Sequence, residues 1–179
     1  MDGSSKLSKN SQYGENFLVG EFTIIKDQVE IGKDVKIGNF CVIHENVKIG
    51  DNVDIRDYVE LRSGTVIGND TYIDSRVSSS GNCKVGNKVT IRYDTILTRG
   101  VEIGDGTYVC PRVMTNNLNT EKAQIGGAKI GANSFIGTNA ILQHGISIAD
   151  DVVIGSMSFV NHDCPEKGVY VGIPARKIK

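Results

Sequence analysis

Tryptophan is absent from the 179 residues, and proline occurs only three times against twenty-one glycines. Turns in such a chain are made by glycine, Asn and Asp rather than by fixed proline corners. Neither charge sign is in excess, with 20 basic and 21 acidic residues and a net charge of −1. The basic footprint of a nucleic-acid binder is therefore missing, and no nucleic-acid partner is expected. No apolar run approaches the ~18 residues of a membrane-spanning helix, so no membrane partner is expected either. The first twenty residues, Met1 to Gly20, lack the apolar stretch of a secretion signal. A cytoplasmic location is the expectation. The four cysteines (Cys41, Cys83, Cys110, Cys164) form no CxxC pair and no zinc-ligand spacing. They read as reduced structural thiols, and no metal is expected.

What is abundant is a six-residue beat. From Val29 the chain reads VEIGKD, VKIGNF, CVIHEN, VKIGDN and onward to TYVCPR, fourteen hexads over residues 29–112 without an insertion. Six more run from AKIGAN to SFVNHD over residues 128–163. The first position is small or β-branched (Val29, Cys41, Thr65, Ala128, Ser134), and the third is aliphatic (Ile31, Ile37, Ile43, Ile130, Ile136). The residue between them is mostly polar. That is strand alternation, apolar in and polar out. Gly, Asn or Asp closes most hexads, where the chain must turn.

One hexad is thus one short strand and a corner. Three hexads per turn close a triangular prism, each coil about 4.8 Å above the last. A single coil cannot bury its own inner face, so coils stabilise one another. The reading is an all-β parallel β-helix over residues 21–179, preceded by a polar cap or flexible segment at 1–20.

This pattern resembles the hexapeptide-repeat signature of the left-handed β-helix acyltransferases. The left-handed coil is what that resemblance implies, since period alone gives no hand. It also implies acetyl-CoA as acetyl donor, self-association as a homotrimer and sites between two prisms. The nearest likeness is to nucleotide-sugar N-acetyltransferases used for surface glycans.

The beat breaks once. VMTNNL at 113–118 has Thr115 where an aliphatic residue belongs, and Asn119 to Gly127 follow before the clock restarts at Ala128. An insertion at a corner projects outward, giving one loop at about 115–127. Loops on rigid scaffolds concentrate function. Hexads at 29, 35 and 41 define faces one, two and three. In that register the fifth positions Arg99, Asn117, His144 and His162 climb one edge, coil by coil. His144 lies nearest the loop and is the candidate catalytic base, because an imidazole takes protons near neutral pH. His162 reads as a terminal corner and His44 as structural.

By resemblance, Thr115-Asn116 matches a Thr-Asn pair that opens the same kind of loop in relatives, with Asn117 where Asp is common. These three are the expected substrate-binding residues, for a nucleotide-linked sugar. The relatives' following Pro-Arg is absent, which puts the particular sugar in doubt. Some of those relatives carry no evident base, since a neutral amine is already nucleophilic and orientation supplies the rest. The closing Val171-Gly172-Ile173-Pro174-Ala175 resembles the family's last segment, which implies that Arg176 and Lys177 meet the adenine end of CoA. Gly137-Thr138 and Gly155-Ser156, one coil apart, are the expected pantetheine contacts.

An O-acetyltransferase acting on a sugar hydroxyl is the alternative, and a non-catalytic assembly subunit the second alternative. A zinc-dependent carbonic anhydrase on this fold needs three clustered histidines. Here they lie 100 and 18 residues apart, which argues against it.

Overall fold

A computed structural model describes residues 4–123 and 125–179. Its strands form three sheets, one per face of a triangular prism, parallel except for the closing antiparallel pair of Gly168–Gly172 with Ala175–Lys177, and no helix occurs among the described residues. The chain is a left-handed parallel β-helix of about nine coils. Nearly every strand is two residues long, such as Glu30–Ile31, Lys36–Ile37 and Val42–Ile43, and pairs with the strand 18 residues later. No helix among the described residues is long and apolar enough to cross a membrane.

The inner positions fill the prism. Ile43, Ile55, Ile73, Ile91 and Ile154 are all essentially inaccessible to solvent. Each such side chain contributes roughly 1.5–3 kcal/mol by leaving water. Stacked in register, they leave the inside of each coil covered only by its neighbours.

The first positions do more than fill space. Thr23 Oγ1 donates to the carbonyl of Gly38, and the same oxygen accepts from the Cys41 amide one coil on. Thr71, Thr107 and Ser134 repeat this pattern with Gly86, Gly131 and Ala149. Each hydroxyl satisfies two backbone groups that the corner buries.

The fifth positions complete the corners between faces one and two. The Lys33 amide donates to Asp51 Oδ1, the Asp51 amide to Asn69 Oδ1, and the Asn69 amide to Asn87 Oδ1. The Asn and Asp that sequence reads simply as turn formers are thus intercoil acceptors. The fourth positions of the same edge are glycine from Gly14 to Gly131. A Cβ on Gly68 would lie 2.5 Å from the carbonyl carbon of Gly86 in the next coil.

The coil begins earlier than the sequence boundary at residue 21. Lys6–Leu7, Gln12–Tyr13 and Leu18–Val19 already pair with the strands at 24, 30 and 36. The inner residues Leu7, Tyr13 and Val19 remain partly exposed, because no strand pairs beneath them among the described residues. That exposure accounts for the polar composition that hides this coil in the sequence.

The outer surfaces differ. Face one carries cross-coil ion pairs, Glu30 with Lys48 at 2.9 Å and Lys84 with Glu102 at 3.6 Å. Face three turns apolar in its later coils, where Ile96, Met114, Ile141 and Phe159 form an outward column.

Candidate active site

The interrupted coil keeps its register. Met114 pairs with Ile141 and Glu102 with Lys129, so the strands on both sides of the insertion stack as if it were absent. The loop returns on itself. The Asn117 carbonyl accepts from the Ile125 amide at 3.0 Å, and Asn119 Oδ1 accepts from the amides of Glu121 and Ala123. Gly126 then accepts from the Gly145 amide, which fastens the loop to the next corner.

Thr115 sits inside the prism, fully buried. Its hydroxyl accepts from the Thr98 amide at 2.8 Å and lies 2.9 Å from the Thr98 hydroxyl. The third position of a hexad points inward, so this side chain braces the loop's base and does not face a ligand. That removes Thr115 from the side chains expected to bind substrate. Asn116 is exposed and Asn117 half-buried at the corner, where both remain available.

His144 stands one coil beyond Asn117, as the register requires. Gln143 Nε2 lies 3.3 Å from His144 Nε2. An amide nitrogen donates, so Nε2 accepts and the ring proton resides on Nδ1. That nitrogen is buried without a partner. No carboxylate among the described residues orients this imidazole, and its basic lone pair is engaged by Gln143, a neighbour that sequence reasoning passed over. His162 Nδ1 lies 2.9 Å from Asn161 Oδ1 and 3.4 Å from Arg176 Nη1, and it can hydrogen-bond to one of them at a time, since the first only accepts and the second only donates. Arg176 thereby joins the Asn117–His144–His162 edge.

The remaining expected cofactor residues lie on another edge, at the corner after face two. Thr138 and Ser156 are stacked there, with the Met157 amide donating to the Thr138 carbonyl at 2.9 Å. Thr138 also faces the thiol of Cys110, which burial pushes upward in pKa despite that hydrogen bond. Gly137 and Gly155 have a steric reason of their own. A Cβ on Gly137 would meet the Ser156 amide nitrogen at 2.5 Å, and one on Gly155 would meet Val171 Cγ1 at 2.5 Å. Lys177 is held by Glu166 at 2.6 Å, which keeps the ammonium pKa above and the carboxyl pKa below their ordinary ranges.

In one chain, then, the two halves of the expected site lie on separate edges with face three between them. A surface groove of about 360 Å³, lined by Gly86, Gly104, Gly131 and Ser147 among others, runs along face one, away from both.

Comparison with known proteins agrees with the coil. Residues 19–122 match the family described as GMPPB C-terminal domain, and residues 127–162 match Bacterial transferase hexapeptide (six repeats). A galactoside O-acetyltransferase of Escherichia coli (strain K12) is 40% identical over 50 residues, covering 28% of this chain. The aligned stretch is 25% of that relative's length. Among solved structures, LpxA from Acinetobacter baumannii superposes with a TM-score of 0.73 at 18% identity, over 97% of this chain and 71% of that one. A hexapeptide-repeat acetyltransferase from Vibrio cholerae, solved with acetyl-CoA, superposes with a TM-score of 0.57 at 19% identity, over 65% of this chain and 70% of that one. At such identities these likenesses establish the coil alone. With its six-residue clock, its three-sided coil and a match over residues 19–122, the chain belongs to the GMPPB C-terminal domain family, and it carries the bacterial transferase hexapeptide repeat over residues 127–162.

Proposed function

We propose that the protein transfers an acetyl group from acetyl-CoA to the amino group of a nucleotide-linked amino sugar, as a homotrimer in the cytoplasm. The observation that carries this reading is the state of His144. It has no carboxylate partner, its Nε2 accepts from Gln143, and its other nitrogen is buried. A hydroxyl acceptor needs a firm base. An amine needs only to be held neutral and in line, after which the departing thiolate takes its proton. Asn116, Asn117 and the projecting loop supply positioning at that edge.

The outer surface supports self-association. Met114 and Ile141 are 36% and 41% exposed, and Leu118 and Ile125 on the loop are about half exposed. An apolar strip bordering a functional loop is the kind of patch that marks a contact surface. Packing face three against a second prism brings the Thr138–Ser156 edge of one chain toward the His144 edge of another. In that arrangement Gly137, Thr138, Gly155 and Ser156 line the pantetheine arm, and Arg176 and Lys177 meet the nucleotide end of CoA.

The second reading is O-acetylation of a sugar hydroxyl, favoured by the galactoside O-acetyltransferase relative. One assay separates the two. The protein is incubated with acetyl-CoA and a panel of nucleotide amino sugars and plain glycosides, and thiol release is followed. Turnover of an amino sugar that survives His144→Asn supports the amine reading. A plain glycoside as the substrate, with His144→Asn lowering kcat by about a hundredfold or more, the size of a general-base contribution, overturns it.

A further inference from the structure

A second polar cluster occupies the same edge as His144, but near the other end of the prism. Lys26, His44 and Arg62 are fourth-position residues of successive hexads on face three, so they stack one coil apart. Glu60 lies in the outward column beside them. Lys26 Nζ is 3.3 Å from His44 Nδ1. His44 Nε2 is 2.9 Å from Glu60 Oε1, and Arg62 Nε reaches the same oxygen at 3.2 Å.

The tautomer follows from the partners. An ammonium only donates, so Nδ1 accepts, and the ring proton on Nε2 goes to Glu60. Partial burial opposes ionisation of that carboxyl, but the hydrogen bonds from Arg62 and His44 outweigh it and hold its pKa below the ordinary range. The order is amine, imidazole, carboxylate. This is the arrangement of a nucleophile, its base and the group that orients the base. His144 lacks the third member. Glu45 and Ser63 complete the surroundings, with Glu45 Oε1 3.4 Å from Lys26 Nζ and Glu45 Oε2 accepting from Ser63 Oγ at 3.3 Å.

Access is also provided. A groove of about 610 Å³, lined by Ser5, Leu7, Ser8, Ile24, Lys26 and Glu45 among others, opens at the amine. Among the other lysines with carboxylate partners, Lys48 and Lys84 have more exposed side chains (57% and 70% against 38%), and their partners are Glu30 and Glu102, without an imidazole.

We propose that Lys26 is a self-acylation site, at which an acyl thioester delivers its acyl group to Nζ, with His44 as base and Glu60 as positioning residue. The choice of acyl-CoA as donor rests on the function proposed above. His44 Nδ1 takes one proton from the Lys26 ammonium. The neutral amine attacks the thioester carbonyl, the C–N bond forms and the C–S bond breaks. The thiolate leaves with the second nitrogen-bound proton, and His44 returns its own proton to water. The product is an uncharged amide, which removes the Lys26–Glu45 ion pair and turns the edge more acidic.

The test uses the full chain, incubated separately with acetyl-CoA and with p-nitrophenyl acetate. Peptide mass spectrometry follows acetylation at Lys26, Lys48 and Lys84 over time. Exposure alone ranks Lys48 and Lys84 as faster. The triad instead makes Lys26 faster by about tenfold or more, a modest share of what a positioned base supplies. His44→Ala is expected to bring Lys26 down to the rate of Lys48 in the same molecules, and added imidazole to restore it. Glu60→Gln is expected to slow Lys26 alone. Because Lys48 serves as an internal control, an unfolded variant is recognised by a rise at every lysine. Lys26 reacting no faster than Lys48 with both donors overturns the proposal, as does a His44→Ala variant that keeps the wild-type ratio. Selectivity for Lys26 with the ester but not with acetyl-CoA upholds the triad and counts only against the CoA donor.

Discussion

Gly68→Ala tests why one edge of the prism is lined with glycine. Gly68 lies at the fourth position of its hexad, and its φ is not in the left-handed region, unlike that of Gly64 or Gly81. Conformational freedom therefore gives no reason for glycine, and a generic Gly→Ala change there would stabilise by about 0.4–1 kcal/mol through the unfolded chain. Packing says the opposite. The added Cβ would stand 2.5 Å from both the carbonyl carbon and oxygen of Gly86, about 0.9 Å inside the 3.4 Å where ordinary contact begins. Neither atom belongs to a flexible side chain. Relief requires prising two coils apart at a corner where Gly68 donates to Val85 and Gly86 donates to Ile103, both at 2.8 Å. Overpacking of this kind costs about 3 kcal/mol. Set against the unfolded-state gain, the net loss is about 2 kcal/mol, or a midpoint lowered by about 4–8 °C at this chain length. Gly126→Ala is the control, with a φ of +109° but nothing within 4 Å of its Cβ. Thermal unfolding followed by circular dichroism measures both, since no tryptophan is present for fluorescence. A Gly68→Ala protein melting at or above wild type would refute the reasoning. Ala149 already points this way. It is the alanine of the series, and the sheet of face one ends at its own strand, Ser147–Ile148.

Thr115→Val keeps the shape of the buried side chain but leaves the Thr98 amide without its acceptor, and is expected to cost about 1–3 kcal/mol in urea unfolding. An unchanged midpoint would mean that water reaches that amide. The thiol of Cys164 is pushed up to about 11, first by burial and then by the neighbouring Asp163. Its folded pKa thus lies above the unfolded value of 9.0. The favoured neutral form contributes fully below pH 9, and stability declines as pH rises from 9 to 11, which unfolding across that range checks. All four cysteines are buried, so a thiol reagent at pH 8 is expected to label the native protein no faster than it unfolds. Rapid labelling of any one would contradict that. Phe22, Phe40 and Tyr58 stack with centroids 5.0 Å apart while each holds a positive φ. Phe40→Asn relieves that backbone cost but loses two ring contacts, and is expected to destabilise by about 1 kcal/mol, read by the same unfolding curves.

The coil was legible because its information is local. Each hexad announces an inner aliphatic and a closing Gly, Asn or Asp, and counting hexads places Asn117 under His144. The orientation of Thr115 was equally legible, since a third position points inward. Its match to a motif of relatives overrode the alternation, and the structure restores it. Contacts between coils were not legible in the same way. The reason for glycine at position 68 is a carbonyl at position 86. The partners of His44 lie 18 residues before it and 16 after it, on a stacked corner and an adjoining strand, where side-chain reach decides the pairing. Read along the chain, His44 was one more corner residue. Ser79 is a quieter case. It occupies an aliphatic position, fully buried, and its hydroxyl lies 2.7 Å from that of Thr65. Only the stacked coils supply that partner.

The 18-residue distance between most paired strands, stretched to 27 across the loop, gives the molecule the symmetry of a spiral staircase with interchangeable steps. A chain that slid by one whole step during folding would keep nearly every aliphatic residue indoors and nearly every corner polar. What distinguishes the native alignment are the steps that differ from the rest: the pair Thr65 and Ser79, the brace between Thr98 and Thr115, and the loop that follows it. These irregularities act as index marks on an otherwise uniform ruler. Erasing them together would leave a stable staircase that no longer knows which step is which.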